Sequence, residues 1–213
     1  MANDSVVPND AVIPLDQLFD DLAHPNPYIQ SQAFTAMVRD WPEQALPRLL
    51  QLLDQPDISL RRASVRGIGA FGAAALLPLA DVFQGSTDST VRASCVKAYA
   101  QVASNQPGVL FPPEAMAALH DGLNDDSPVV AVASVMALGQ VGVQAVSLLL
   151  AVAQGSNPAQ AVAAVNALAQ IADPELEGKL RALQQQVGLD PYVLETLESA
   201  LARAKDLKAR QLH

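Results

Sequence analysis

The sequence predicts an all-α protein: an α-α superhelix, or solenoid, of about six two-helix repeats. Three observations predict this fold class. A helix-start pattern recurs with a period near 31 residues, an apolar face at helical spacing follows each copy, and a second apolar helical segment precedes each copy. Neither helix of such a unit can bury its apolar face alone, so we expect neighbouring units to stack in a row.

The helix-start pattern is clearest at Asn157-Pro158, which opens an alanine-rich apolar stretch that runs to Ile171. The asparagine oxygen can accept hydrogen bonds from the free N–H groups of the first turn, and proline suits the first helical position because no N–H is needed there. Equivalent cap positions recur at spacings of 31, 31, 39, 30 and 33 residues. They are Asn26, Asp57, Asp88, Ser127, Asn157 and Asp190.

Each cap is followed by the apolar pattern of a packed helix. Ten residues past the cap the side chain is small every time, and the next residue is large and apolar or aromatic. This spacing describes one buried face on which helices approach closely. The large residues are Met37, Ile68, Tyr99, Leu138, Leu168 and Leu201. The preceding helices begin near Leu15, Leu46, Leu77, Met116, Val146 and Glu175.

The repeat defines the domain organisation. We expect residues 1–14 to form a flexible N-terminal tail and residues 15–213 to form a single repeat domain. The 39-residue spacing marks an insertion, the proline- and glycine-containing loop from Ser104 to Pro113. We expect its apolar residues Leu110 and Phe111 to pack back onto the array. The alternative is that they form a contact at one edge of it.

The stretch between Asp126 and Asp173 contains no charged side chain, which raises the question of a membrane span. A spanning helix needs about 20 predominantly apolar residues. Glycine, serine, asparagine and proline interrupt this stretch where the repeat predicts turns, so we expect buried solenoid helices and no span. Residues 1–14 show no basic region followed by an apolar core, and we therefore expect a cytoplasmic protein.

The composition argues against several classes of function. A net charge of −9 argues against binding along a nucleic-acid backbone. The lone Cys95 excludes an internal disulfide, and it aligns with small residues in four of the other five repeats, which predicts a packed thiol. His24, His120 and His213 lack the spacing of metal ligands. We therefore expect no catalytic residue and no metal site.

Two of the helix starts resemble a known family. Residues 57–63 (Asp-Ile-Ser-Leu-Arg-Arg-Ala) and 88–94 (Asp-Ser-Thr-Val-Arg-Ala-Ser) resemble HEAT-like repeats, whose second helix commonly opens Asp-Pro-x-Val-Arg. Residues 157–165 are similar to the phycobilisome-lyase type of repeat protein in cyanobacteria. Within that group the chain also resembles the small HEAT-repeat partner of the IscA-type iron–sulfur scaffold. The resemblance covers roughly residues 15–203.

The resemblance implies a non-enzymatic scaffold for protein–protein interaction in phycobiliprotein or iron–sulfur biogenesis, without a cofactor. Its partner would be a phycobiliprotein, a second lyase-like chain or an iron–sulfur scaffold protein. The alternative is a subunit of a phycobilin lyase, which would hold a phycobilin as its ligand while a cysteine of the acceptor phycobiliprotein adds to it. A third alternative is a factor in phycobilisome disassembly.

The second helices of such arrays commonly line a concave face that binds partners. We expect cations at one end of this face and apolar residues with one amide at the other, which suits an amphipathic partner with carboxylates, either a protein segment or a linear tetrapyrrole with its two propionates. The candidate residues are Arg62, Arg66, Arg92, Lys97, Val132, Met136, Val162 and Asn166. The alternatives are that Arg61 and Arg92 pair with the cap aspartates of their own helices, and that the other cations form a solvated basic face.

Overall fold

The prediction of an all-α repeat fold is confirmed. The structure is a computed structural model that describes residues 12–186 and 188–211, with the backbone alone for residues 204–211. These residues form twelve α-helices and no strand. The helices fall into six consecutive pairs, as the period predicts. The predicted flexible tail lies mostly outside the described residues, although Ile13 O accepts a hydrogen bond from Trp41 Nε1 at 3.0 Å.

The first helix of each pair has an odd number and the second an even number. The bounds are α1 Leu15–Asp20, α2 Pro27–Asp40, α3 Pro42–Gln51, α4 Ile58–Ala70, α5 Leu76–Gly85, α6 Ser89–Asn105, α7 Pro113–Leu123, α8 Pro128–Val141, α9 Val146–Ala153, α10 Pro158–Leu168, α11 Leu176–Gln184 and α12 Pro191–Gln211.

The helix starts obey the cap pattern in five of six repeats. The side chains that accept hydrogen bonds from backbone N–H groups of the following turn are those of Asn26, Asp57, Asp88, Asn157 and Asp190. The prediction is wrong for Ser127, whose side chain makes no cap hydrogen bond. There the Asp125 carboxylate, two residues earlier, accepts from the Ser127 N–H at 2.8 Å. A charged side chain thus organises this turn in place of the hydroxyl.

The second helices pack side by side along the row, α2 on α4, α4 on α6, α6 on α8, α8 on α10 and α10 on α12. Their inward faces form one continuous apolar core with the first helices. All six large residues predicted for this core are buried, and five of the six small ones are buried, with Ala167 partly exposed. Small side chains at this position bring neighbouring second helices close together, which defines the grooves between them.

The charge-free stretch forms three helices, α8, α9 and α10. Residues Pro128–Ala153 are long and apolar enough to cross a membrane, with a mean hydropathy of 1.9. However, α8 ends at Gly142, whose φ of +80° is a left-handed conformation that glycine adopts without steric cost. The helices on either side have 14 and 8 residues, both shorter than the roughly 20 that a span needs. Both helices pack within the repeat array.

The inserted loop makes side-chain hydrogen bonds at two residues, Ser104 and Phe111. Ser104 Oγ donates to Gln140 Oε1 on α8 at 3.0 Å. Phe111 is buried against Tyr99, with ring centroids 5.7 Å apart. Gln144 holds the loop backbone, since its Oε1 accepts from the Phe111 N–H at 3.0 Å and its Nε2 donates to Phe111 O at 2.6 Å. The expectation for this loop is therefore confirmed for Phe111 but wrong for Leu110, which is 80% exposed.

Candidate functional site

The grooves between neighbouring second helices form the candidate site. A cavity of about 480 Å³ lies between α4 and α6. Four of its lining residues are cationic: Arg61, Arg62, Arg66 and Lys97. The structure thus gathers three predicted cations, Arg62, Arg66 and Lys97, in one place and adds Arg61 to them. We call this groove the basic cavity.

Two of the four cations in the basic cavity are held by neighbouring amide oxygens. Arg66 donates to the side-chain oxygen of Gln30 on α2, and Arg61 donates to the backbone oxygen of Gln55 at 2.5 Å. The expected pairing of Arg61 with Asp57 is wrong, because the Asp57 carboxylate instead caps its own helix. Among the described residues, neither Arg62 nor Lys97 has a hydrogen bond or an ion pair. Their positive charges are therefore available to a ligand.

Arg92 has a structural position outside the basic cavity. Its Nε and Nη2 atoms donate to the Asp125 carboxylate at 2.5 and 3.0 Å, and the two side chains are only 18% and 6% exposed. The expected pairing with Asp88 is therefore wrong, since Asp88 caps α6 and the partner lies in the next repeat. The guanidinium hydrogen bond, followed by that from the Ser127 N–H, holds the pKa of Asp125 below its usual range. We therefore remove Arg92 from the proposed site.

The apolar part of the predicted site lies in the groove between α8 and α10, two grooves along the row from the basic cavity. A pocket of about 270 Å³ between α8 and α10 includes Met136 and Asn166 among its lining residues. Met136 is 65% exposed, and Val132, one turn earlier on α8, is 42% exposed. Val162 is partly buried on α10 and does not line the pocket. We call this groove the apolar pocket.

Charge is separated between the two sides of the array. The chain contains 22 acidic residues, yet the four central second helices, α4, α6, α8 and α10, contain none. This side of an acidic protein is therefore neutral to basic along four repeats, so it presents a favourable surface to carboxylates. The separation follows directly from the sequence once the second helices are located.

Three glutamines outside the predicted site also line these grooves. Gln101 lines the basic cavity, and both Gln140 and Gln170 line the apolar pocket. All three lie thirteen residues past the cap of their helix, a regularity that would have identified them. Amide side chains both donate and accept hydrogen bonds, so they suit a surface that contacts a peptide backbone.

Neither Cys95 nor any histidine lines the basic cavity or the apolar pocket. Cys95 is fully buried, and burial raises the pKa of its thiol to about 12. No group of three His, Cys, Asp or Glu side chains that could hold a metal ion occurs in the part of the chain that the structure describes. His24 and His120 belong to turns and helix surface, and His213 lies outside the described residues. The site can therefore bind and orient a ligand through charge, amides and apolar contact.

The repeat array defines the chain as an α-solenoid protein, and a family model specifies the type. The model for HEAT repeats matches residues 15–100 and 116–211. The chain therefore belongs to the HEAT-repeat proteins. Among solved structures, it is similar to a designed armadillo repeat protein in complex with the peptide (KR)4. That likeness has a TM-score of 0.51 and 21% identity, covers 90% of this chain and 100% of that one, and shows the fold alone.

Two relatives are similar along most of their length. The uncharacterised phycocyanin operon protein Z of Pseudanabaena tenuis (strain PCC 7409) is 38% identical over 89% of this chain and 94% of its own length. The bilin biosynthesis protein CpeZ of Synechococcus sp. (strain WH8020) is 35% identical over 82% of this chain and 97% of its own. Neither relative is named for iron–sulfur assembly, so the similarity gives no support to an iron–sulfur scaffold as partner.

Proposed function

We propose that this chain acts in the attachment of a linear tetrapyrrole to a phycobiliprotein, as a HEAT-repeat component that binds its partners without supplying the reacting thiol. The observation that carries the proposal is the similarity, at 35% identity over 82% of this chain, to a protein named for bilin biosynthesis. A relative named for the phycocyanin operon supports the same setting.

The chemistry of the basic cavity fits the holding of such a ligand. A linear tetrapyrrole carries two propionates, and arginine pairs with carboxylates through two parallel hydrogen bonds. Arg62 and Lys97 are free to make such pairs, while Arg66 is already positioned by Gln30. The thiol that adds to the bilin belongs to the acceptor phycobiliprotein in this proposal, so a buried Cys95 is compatible with it.

A second candidate is a scaffold that binds an apo-phycobiliprotein or a second lyase-like chain without contacting the bilin. The separate basic cavity and apolar pocket support it, since they form an extended surface along several repeats. Both candidates place the protein with phycobiliprotein maturation, and they differ in whether the bilin itself is bound.

A binding experiment separates the two candidates. Phycocyanobilin is titrated with the protein while visible absorption and induced circular dichroism are recorded. We expect a shifted absorption band and an induced dichroic signal if the chain holds the bilin. No spectral change at tens of micromolar protein, together with co-purification of an apo-phycobiliprotein subunit, would select the scaffold.

A reconstitution experiment tests the setting itself. An acceptor phycobiliprotein subunit is co-expressed with a bilin source and a lyase, with and without this chain, and covalent bilin is measured on denaturing gels. We expect a higher yield or a more uniform absorption spectrum of the product when the chain is present. The variant Arg66→Glu with Lys97→Glu should remove that gain while its melting temperature stays close to that of the wild type. An unchanged yield and spectrum without the chain would contradict the proposed function.

A further inference from the structure

We propose that the second helices bind an amphipathic segment of a partner protein, with its carboxylates in the basic cavity and its apolar side chains on the apolar pocket. The inference rests on the scaffold candidate of the proposed function and deepens it by naming the chemistry of the bound segment; such a segment would compete with a bilin for Arg62 and Lys97. We call the surface the second-helix face. It consists of Arg62, Arg66, Lys97, Gln101, Val132, Met136, Gln140, Asn166 and Gln170.

Charge complementarity defines one end of the occupant. The basic cavity contains four cations, and α4 and α6 contribute no carboxylate to balance them. Arg62 and Lys97 have no partner among the described residues. The chain as a whole has a net charge of −9, so two unpaired cations in one cavity make this region locally positive. A group with two or more carboxylates would pair with them, and since α8 and α10 carry no charged side chain, this pairing favours one position along the face.

Exposed apolar side chains define the other end. Val129, Val132 and Met136 lie on one stripe of α8 and are 62%, 42% and 65% exposed. Large apolar side chains in such a stripe are normally packed, and here Met136 lines the apolar pocket. Methionine adapts its shape to different apolar partners. Gly139 also lines the pocket, and an added Cβ there would lie 3.0 Å from Ala167 Cβ. The helices α8 and α10 are therefore closely packed beside the pocket.

The separation between the two ends favours a polypeptide as the occupant. Adjacent packed helices lie about 8–10 Å apart, and the two grooves are two helix positions apart along the row. Their centres are therefore separated by roughly 16–20 Å. A small ligand occupies one concave pocket, whereas about 11–13 helical residues, at 1.5 Å each, span this distance. Gln101 and Gln140 lie along the path and can hydrogen-bond to a bound segment.

The test uses a fluorescein-labelled peptide of sixteen residues with four glutamates in its first half and three leucines in its second half. Binding to the full-length protein is followed by fluorescence anisotropy. Two control peptides have lysine in place of each glutamate, or the same composition with acidic and apolar residues alternating along the chain. We expect the separated peptide to bind at least about tenfold more tightly than either control, because only it meets both ends of the face.

Variants of the protein locate the binding. Arg62→Gln with Lys97→Gln should weaken the peptide at least about tenfold, and Met136→Ser should weaken it independently. The matched control is Gln17→Glu with Gln44→Glu, which changes the net charge by the same −2 on exposed positions of α1 and α3. We expect the control to bind within about twofold of the wild type, since screening limits distant charges.

Three outcomes would overturn the proposal: equal binding of the lysine peptide, equal binding of the alternating peptide, or equal loss in the first-helix control. Binding of phycocyanobilin without binding of the separated peptide would also overturn it while leaving the proposed function intact. Arg62, Lys97 and Met136 are exposed, and the two cations have no partner, so melting temperatures should stay near the wild-type value. Melting temperatures therefore distinguish a variant that has lost a contact with the peptide from a variant that no longer folds.

Discussion

Arg92 of the third repeat forms a two-point hydrogen-bonded ion pair with Asp125, which lies before the first turn of the fourth repeat's second helix. The same carboxylate accepts from the Ser127 N–H, and Arg92 Nη1 also donates to Ser86 O. One guanidinium and one carboxylate therefore connect the turns of two successive repeats. In a row where each unit touches only its neighbours, such a connection fixes the position of one repeat against the next.

We predict that Asp125→Ala destabilises the protein by about 1–3 kcal/mol, because it leaves the partly buried guanidinium of Arg92 without its partner. The matched control is Asp126→Ala at the exposed neighbouring position, which should change stability by less than about 0.5 kcal/mol. Urea unfolding measures both. If the double variant Arg92→Ala, Asp125→Ala costs as much as the sum of its single variants, the two side chains are not coupled.

The ion pair between Arg92 and Asp125 predicts that the stability of the protein depends on pH. The pKa of Asp125 is lowered in the folded protein, chiefly by the hydrogen bond from Arg92. The charged form therefore contributes stability above the unfolded pKa near 3.9, and that contribution is lost as pH falls through the lower folded pKa. The variant Asp125→Asn keeps an oxygen for the Ser127 N–H but lacks the charge. We expect it to be less stable than the wild type at pH 7 and to converge with it as the pH falls below about 3.9. A constant difference across this range would contradict the role of the charge.

The repeat could be predicted from the sequence because its signals are local. A cap such as Asp57 and the buried residue eleven positions later, Ile68, lie on one helix, so their spacing fixes the helix and its inward face. Several contacts that the sequence did not reveal join different repeats. Arg92 meets Asp125 at a separation of 33 residues, and Phe111 meets Gln144 at the same separation. No local pattern encodes which carboxylate or amide of the next repeat a side chain will reach.

Individual residues of the candidate site could be predicted from the sequence, but which of them lie together could be predicted only in part. Arg62, Arg66 and Lys97 share a cavity because α4 and α6 pack side by side, which the repeat itself implies. Arg92 precedes Lys97 on the same helix, yet it turns toward the next repeat because a buried carboxylate is within reach there. Which cation of a repeat remains unpaired therefore depends on the partners that the neighbouring repeat supplies.

Two adjacent residues of the inserted loop should respond in opposite ways to truncation. Phe111→Ala removes a buried ring that packs on Tyr99, and we expect a loss of about 3–5 kcal/mol. Leu110→Ala changes a side chain that is 80% exposed, and we expect a change below about 0.5 kcal/mol. Thermal unfolding of both variants tests the comparison. A large cost for Leu110→Ala would mean that this side chain is covered in solution.

Two glycines within helices should respond in opposite ways to replacement by alanine. An added Cβ at Gly69 would lie 2.5 Å from Gln101 Cβ, whereas one at Gly178 has no atom within 4 Å. Alanine favours a helix over glycine by about 1 kcal/mol, so Gly178→Ala should stabilise the protein by up to that amount. Gly69→Ala should destabilise it by about 1–3 kcal/mol, since α4 and α6 must move apart. The same movement would widen the basic cavity, and a stable Gly69→Ala variant would contradict the close packing of these two helices.

The thiol of Cys95 should be inert in the folded protein. It is fully buried at a position filled by small residues in neighbouring repeats, and burial raises its pKa to about 12. Because the thiolate is the reactive form, both low access and low thiolate content oppose attack. We expect labelling by a fluorogenic maleimide at pH 8 to be at least about a hundredfold slower in buffer than in 8 M urea (roughly the concentration that unfolds such domains). Labelling at the unfolded rate in buffer would show that solvent reaches this side chain, and the argument that the chain supplies no reacting thiol would then fail.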